Sequence, residues 1–177
     1  LSLEVHDHLI YRRFLQIANG ISKDEVVALH SVDRDEELRK AIIPIEHINI
    51  MTTAPEIGSM KQLIIDLAPK IVVIDTIDVI KSNYVNDPFN KMEKIVNELK
   101  QLAVQESIII IGVSHISKGA SFEQKLSVHS AKGNSVIEQK ADKVIGIMGD
   151  RESTRRIVRA LKSRDESRFQ LAFTFDY

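Results

Sequence analysis

Two apolar runs, Ile71 to Ile74 and Ile108 to Val113, constrain the fold of this chain more than any other feature. The first, inside KIVVIDTIDVI (residues 70 to 80), is β-branched throughout and offers no polar residue to face water. It therefore reads as a parallel strand buried on both faces. Ser107 to Ser114 encloses a second wholly apolar strand. Between the two, Asp87 followed by Pro88 has the form of an N-cap with proline at the first helical position, opening a helix that runs to about Gln105. Strand, helix, strand in this order gives a right-handed crossover onto a parallel sheet. Asp75 ends the first run, at the strand end where open α/β sheets place their ligands. The same aspartate also reads as a plain strand end whose side chain caps the following turn.

The other segments fit around this unit. Leu1 to Val5 reads as a short strand, with Asp7 placed to N-cap a helix whose apolar stripe is Leu9, Ile10, Phe14, Leu15 and Ile17. Gly20 supplies a left-handed stop for that helix, and Ser22 with Glu25 has capping-box spacing. Val26 to Ile43 reads as two short helices broken near Ser31, His47 to Met51 as a strand, and Glu56 to Leu67 as an amphipathic helix ended before Pro69. Residues 117 to 133 are polar and glycine-containing, without a period, and a loop of that length in a compact domain is usually functional or disordered. Ser135 to Lys140 is a short helix and Lys143 to Met148 a strand. Arg156 to Leu161 and Phe169 to Phe175 largely alternate, and read as a closing antiparallel hairpin.

Composition narrows the function. At 177 residues the chain is one domain by length, and 44% hydrophobic with 28% charged residues is the make-up of an ordinary globular protein. The net charge of −1 means that any nucleic-acid contact comes from local basic loops and not from a basic whole. The absence of cysteine excludes disulfides, thiol catalysis and cysteine metal sites, and is compatible with a reducing cytoplasm. No apolar run is long enough to span a bilayer, so no membrane partner is expected. The histidines His6, His8, His30, His47 and His129 share no ligand spacing. Leu1 to Leu3 already looks like the inside of a strand, and the chain is expected to be a piece of something longer.

Four strand ends line up in an informative order: SLEV (2 to 5), IVVIDT (71 to 76), IIIIGVSH (108 to 115) and RALKSR (159 to 164). As a series they resemble the motifs of RecA-like motor ATPases, most nearly the DnaB-type replicative helicases and the primase-helicases, with RadA and KaiC next. VIEQKAD (136 to 142) resembles the short helix before a late strand of the DnaB type. The resemblance spans nearly the whole chain. It implies a RecA-like α/β fold, with a mostly parallel sheet flanked by helices and a C-terminal antiparallel hairpin. It further implies ATP and Mg2+ as cofactors, a homo-oligomeric, hexameric ring, and sequence-independent contact with DNA.

Residue by residue, the resemblance gives Glu4 the role of the base that orients and deprotonates the attacking water, and Asp75, followed by Thr76, that of the carboxylate holding magnesium on the phosphates. On residue type alone Glu4 reads as a solvated glutamate at an edge strand. Ser114 and His115 stand where the family carries a phosphate sensor, glutamine in one branch and histidine in the other. An imidazole N–H can donate to a γ-phosphate oxygen, or simply satisfy a local backbone group. Lys162 and Arg164, two apart, point to the same side of an extended strand end and match the K-x-R pair that reaches a neighbouring subunit's γ-phosphate. They also read as a solvated hairpin turn. Lys118, Lys125 and Lys132 lie in the stretch that corresponds to the DNA-channel loop, which reads equally as a mobile polar loop without a ligand.

One departure is large. No G-x-x-x-x-G-K-[ST] phosphate loop occurs, and SAKGNS (130 to 135) lacks its spacing. In the family that loop lies just upstream of the SLE-type strand, so the phosphate-loop unit is expected to be absent from residues 1 to 177, which alone should hold ATP weakly or not at all and be inactive. The alternatives are a binding or scaffolding module that has lost the loop, and a RadA- or KaiC-like recombination or regulatory ATPase.

Overall fold

The structure is a computed structural model, described for residues 1–31, 33–81, 88–115, 134–149, 153–164 and 169–174. It divides into two compact units, Leu1–Ala54 and Pro55–Tyr177.

The first unit is helical. Helix α1 (Asp7–Asn19) ends at Gly20, whose φ of 63° is the left-handed conformation that glycine adopts without steric cost. The Asn19 amide donates to the carbonyls of Leu15 at 3.0 Å and Ala41 at 2.9 Å, fastening the end of α1 to α3 (Asp35–Ile42). Helix α2 (Lys23–Leu29) starts with the expected capping box. Ser22 Oγ accepts from the Glu25 N–H at 3.2 Å, and the Glu25 carboxylate accepts from the Ser22 N–H at 2.7 Å, which holds the Glu25 carboxyl below the ordinary range. Leu15, Val26, Ala41 and Ile45 form the core, with Tyr11, Phe14 and Ile48 among the side chains packed on it.

Four expectations are corrected here. His6, and not Asp7, is the N-cap of α1, and Asp7 instead accepts from the His8 N–H in the first turn. Ile17 does not belong to the buried stripe, being 80% exposed, because the core is collected around Leu15 and Phe14. Leu1 to Val5 is not a strand: Ser2 makes one isolated parallel bridge to Thr52, and its hydroxyl accepts from the Val5 N–H and donates to the Val5 carbonyl, closing a bend instead. His47 to Met51 likewise forms no strand: the Ile48 N–H turns back to the Ile45 carbonyl at 2.9 Å, and the Met51 carbonyl accepts from Ser2 N–H at 2.8 Å.

In the second unit, helix α4 (Ile57–Leu67) ends on Ala68 in a left-handed conformation, φ 43°, ahead of Pro69. Strand β1 (Ile71–Ile74) follows, then a 3-10 turn over Ile77–Val79, helix α5 (Pro88–Gln105) and strand β2 (Ile109–Gly112). The proposed cap Asp87 lies outside the described residues. Strands β1 and β2 pair in parallel, Ile71 opposite Ile109 through Ile74 opposite Gly112, as the crossover pattern requires. Lys61 of α4 and Glu98 of α5 form a part-buried ion pair at 3.2 Å. Helix α6 (Asn134–Lys140) leads into an antiparallel sheet of β3 (Lys143–Met148), β4 (Arg155–Ser163) and β5 (Gln170–Thr174). Among the described residues β1 and β2 are the strands that pair in parallel, beside the isolated parallel bridges Ser2–Thr52 and Glu56–Lys81, and β3 runs antiparallel to β4.

The burial of β1 and β2 also differs from expectation. Val72 and Ile74 are buried, but Ile71, Val73, Ile109 and Ile111 are each about half exposed (56%, 47%, 58% and 49%). The parallel register sets Ile71 beside Ile109 and Val73 beside Ile111, so among the described residues one face of the β1–β2 pair is a half-exposed apolar strip. Among the described residues no helix is long and apolar enough to cross a membrane.

Candidate functional site

The strand ends of β1 and β2 bring four sequence-selected residues to one place. Past the ladder the two segments remain bonded: Val113 N–H donates to the Ile74 carbonyl and Ile77 N–H to the Val113 carbonyl, each at 2.9 Å. This fixes Asp75, half-buried, and Thr76, 2% exposed, against the segment leading to Ser114 and His115. The Asp75–Thr76 peptide is cis. Thr76 has its side chain turned from solvent, while His115 is exposed.

Gly112 makes the close approach possible. A Cβ at this position would meet Ile77 Cγ2 at 2.9 Å, inside contact distance, so the turn that carries Ile77 can lie on the strand only where the strand has no side chain.

Asp78, in that turn, is the residue that sequence reasoning missed. Its side chain is only 10% exposed. Oδ1 accepts from Ser114 Oγ at 3.0 Å, and Oδ2 accepts from the His115 backbone N–H at 2.8 Å and faces His115 Nδ1 at 3.2 Å. One carboxylate therefore clamps the end of β2 to the turn after β1. Serine, histidine and aspartate meet here, but both Ser114 and His115 turn to the aspartate, so this contact gives the serine no histidine base of the kind an activated nucleophile needs. The sequence signal was DTID itself, a second aspartate three residues after Asp75, within one turn of it.

Lys162 and Arg164 do share a side of the strand end, and both are engaged. Lys162 Nζ donates to the Gln139 carbonyl at 3.4 Å, and Arg164 donates to the same carbonyl at 3.1 Å. They thus meet the C-terminal end of α6, where the helix dipole favours cations. Arg164 also pairs with Asp142 at 3.2 Å, and Asp142 pairs in turn with Lys100 of α5. The hydrogen bond from Lys100 is the largest influence holding the Asp142 carboxyl below its ordinary range, aided by the charges of Lys100, Arg164 and Lys162.

Glu4 belongs to the first unit, exposed within the bend closed by Ser2. Lys118, Lys125 and Lys132 lie outside the described residues.

Among the described residues no group of three or more histidine, aspartate or glutamate side chains is arranged to hold a metal. Magnesium keeps several waters and is held by one or two carboxylates together with substrate phosphates, and the half-buried carboxylate of Asp75 is of the residue type that would hold it.

No protein-family model matches the chain, and no curated protein matches it. Solved structures do. One of them, an ATPase domain, superposes with a TM-score of 0.83 at 22% identity, the match covering 98% of this chain and 69% of that one. A DnaB-like replicative helicase, solved in a study of its interactions with primase, superposes with a TM-score of 0.79 at 21% identity. That match covers 99% of this chain and 47% of the helicase, so the chain spans about half of its length. The motif order read from the sequence and these superpositions agree: the chain has the RecA-like core fold of DnaB-type helicase ATPase domains.

Proposed function

We propose that this chain is the core of an ATP-hydrolysing, DNA-associated motor of the helicase-like, RecA-fold class. The observation that carries the reading is the pair of parallel strand ends. A half-buried aspartate closes β1, and Ser114 and His115, held by Asp78, close its neighbour β2. The carboxyl ends of parallel strands are where α/β folds bind ligands.

In this reading Asp75 holds magnesium on the nucleotide phosphates, Ser114 and His115 report the γ-phosphate, and Glu4 takes the proton of the attacking water. Lys162 and Arg164 reach the nucleotide of an adjacent subunit in a homo-oligomeric ring, hexameric by analogy with the family. Lys118, Lys125 and Lys132 track the DNA backbone without regard to sequence.

The test is steady-state ATP hydrolysis by the full-length protein that carries this chain, with and without single-stranded DNA. Magnesium-dependent turnover that DNA stimulates is expected. A full-length protein that binds DNA yet shows no hydrolysis would replace the motor with a scaffolding role.

A further inference from the structure

The carboxylate of Asp78 is more than a structural clamp. An ionised aspartate has acceptors only, so each of its three partners must present a hydrogen. The Ser114 hydroxyl can turn to do so, the His115 backbone N–H always does, and the His115 ring must do so from Nδ1. Which nitrogen of an imidazole carries the proton is set by the bond the other edge makes.

We infer that Asp78 is a positioning residue that fixes His115 as its Nδ1–H tautomer, leaving Nε2, on the outer edge of a 61% exposed side chain, as the atom offered to a ligand. In the neutral ring that outer nitrogen accepts, and it orients a water or hydroxyl. It donates to a phosphate oxygen only when the ring has taken a second proton, with Asp78 already in place behind it to balance the charge. A glutamine at this position needs no such step, since its amide donates as it stands. The assignment of the tautomer rests on the geometry of Asp78 alone; its consequence for phosphate rests on the nucleotide reading above.

The experiment is nitrogen NMR of histidine-labelled full-length protein without nucleotide, well above neutral pH, where the neutral ring reveals its tautomer. The His115 signal is identified by its loss in His115→Gln. The unmutated protein should show Nδ1 protonated and Nε2 bare. Asp78→Asn should keep that pattern, because the fixed His115 N–H forces the asparagine carbonyl into the place of Oδ2, still able to accept from Nδ1. Asp78→Ala should release the ring to a mixture dominated by the Nε2–H form. In turnover, Asp78→Ala should lower kcat about tenfold or more with KM little changed, as when a histidine loses the partner that fixes its tautomer, and Asp78→Asn should recover part of the loss. In a His115→Gln background Asp78→Ala should cost less in kcat than it does beside His115, the remainder being what the Ser114 hydroxyl and the residue-115 N–H lose.

An Nε2–H pattern in the unmutated protein, which requires no variant to fold, would overturn the assignment. So would a pattern unmoved by Asp78→Ala. An Nδ1–H pattern in a protein that proves unable to hydrolyse ATP would uphold the positioning role and remove only the nucleotide reading.

Discussion

Arg164 lies 3.2 Å from Asp142, with both side chains about half exposed. A surface pair of this kind contributes about 1 kcal/mol or less, so the arginine can leave its partner for another anion at little cost. Arg164→Ala should therefore shift the melting temperature of the full-length protein by only a few degrees. Its hydrolysis should nevertheless fall by roughly a thousandfold if the guanidinium serves a neighbouring subunit. Mixing Arg164→Ala with Glu4→Gln subunits, each inactive alone, should restore activity at boundaries that pair an intact Glu4 with an intact Arg164. A mixture that stays inactive although subunits are shown to exchange would place the arginine in cis.

Acid should loosen this same corner. The carboxyl of Asp142 is held low in the folded chain, chiefly by the hydrogen bond from Lys100, so its contribution is fully present above the ordinary aspartate range and disappears as pH falls through the lowered value. Denaturant unfolding of the unmutated protein and of Asp142→Asn should differ at neutral pH and converge as pH falls from the ordinary aspartate range through the lowered value. A difference that persists unchanged into strong acid would assign the effect to packing instead.

Gly112→Ala tests the close approach of the turn to the strand. The added methyl lands 2.9 Å from Ile77 Cγ2, and Ile77 is 6% exposed with little room to retreat. Overpacking of this kind costs about 1–3 kcal/mol. The displacement also falls one residue from Asp78, so the His115 signal should move along with the unfolding midpoint. Ile77→Val with Gly112→Ala should recover part of both.

The roles proposed for Glu4 and Asp75 separate by nucleotide affinity. In the full-length protein Glu4→Gln should retain ATP binding and lose hydrolysis, because the amide is nearly isosteric but accepts no proton. Asp75→Asn should weaken the magnesium-dependent part of binding. Parental turnover in Glu4→Gln would refute the base assignment.

Local chemistry decided by one or two residues was largely legible in the sequence, the Asp7 cap being the exception. Gly20 stops α1, the Ser22 and Glu25 box starts α2, and the branched runs place β1 and β2 in parallel register. What depended on distant partners was not. Leu1 to Val5 and His47 to Met51 have strand-like content, yet a strand needs a ladder, and only Ser2 and Thr52 meet. Unbroken apolarity suggested burial on both faces of β1, but composition states what a face tolerates and not what covers it. Asp78 escaped notice for a related reason: a lone aspartate in a turn acquires meaning only when Ser114 and His115, 36 and 37 positions later, arrive beside it.

The half-exposed strip of Ile71, Val73, Ile109 and Ile111 has a consequence for how the chain behaves in bulk. IVVI and IIIIGV are short, uncharged and free of proline, the make-up of segments that stack into cross-β assemblies when left bare. Colloidal behaviour and folding are here governed by opposite faces of the same two strands. Excluded salts such as sulfate, which strengthen apolar association, should drive copies together through the strip while Val72 and Ile74 stay packed within each copy. Threonine at Val73 and Ile111 keeps the branched shape that a strand favours, and should raise the concentration at which the chain remains dispersed without lowering its unfolding midpoint.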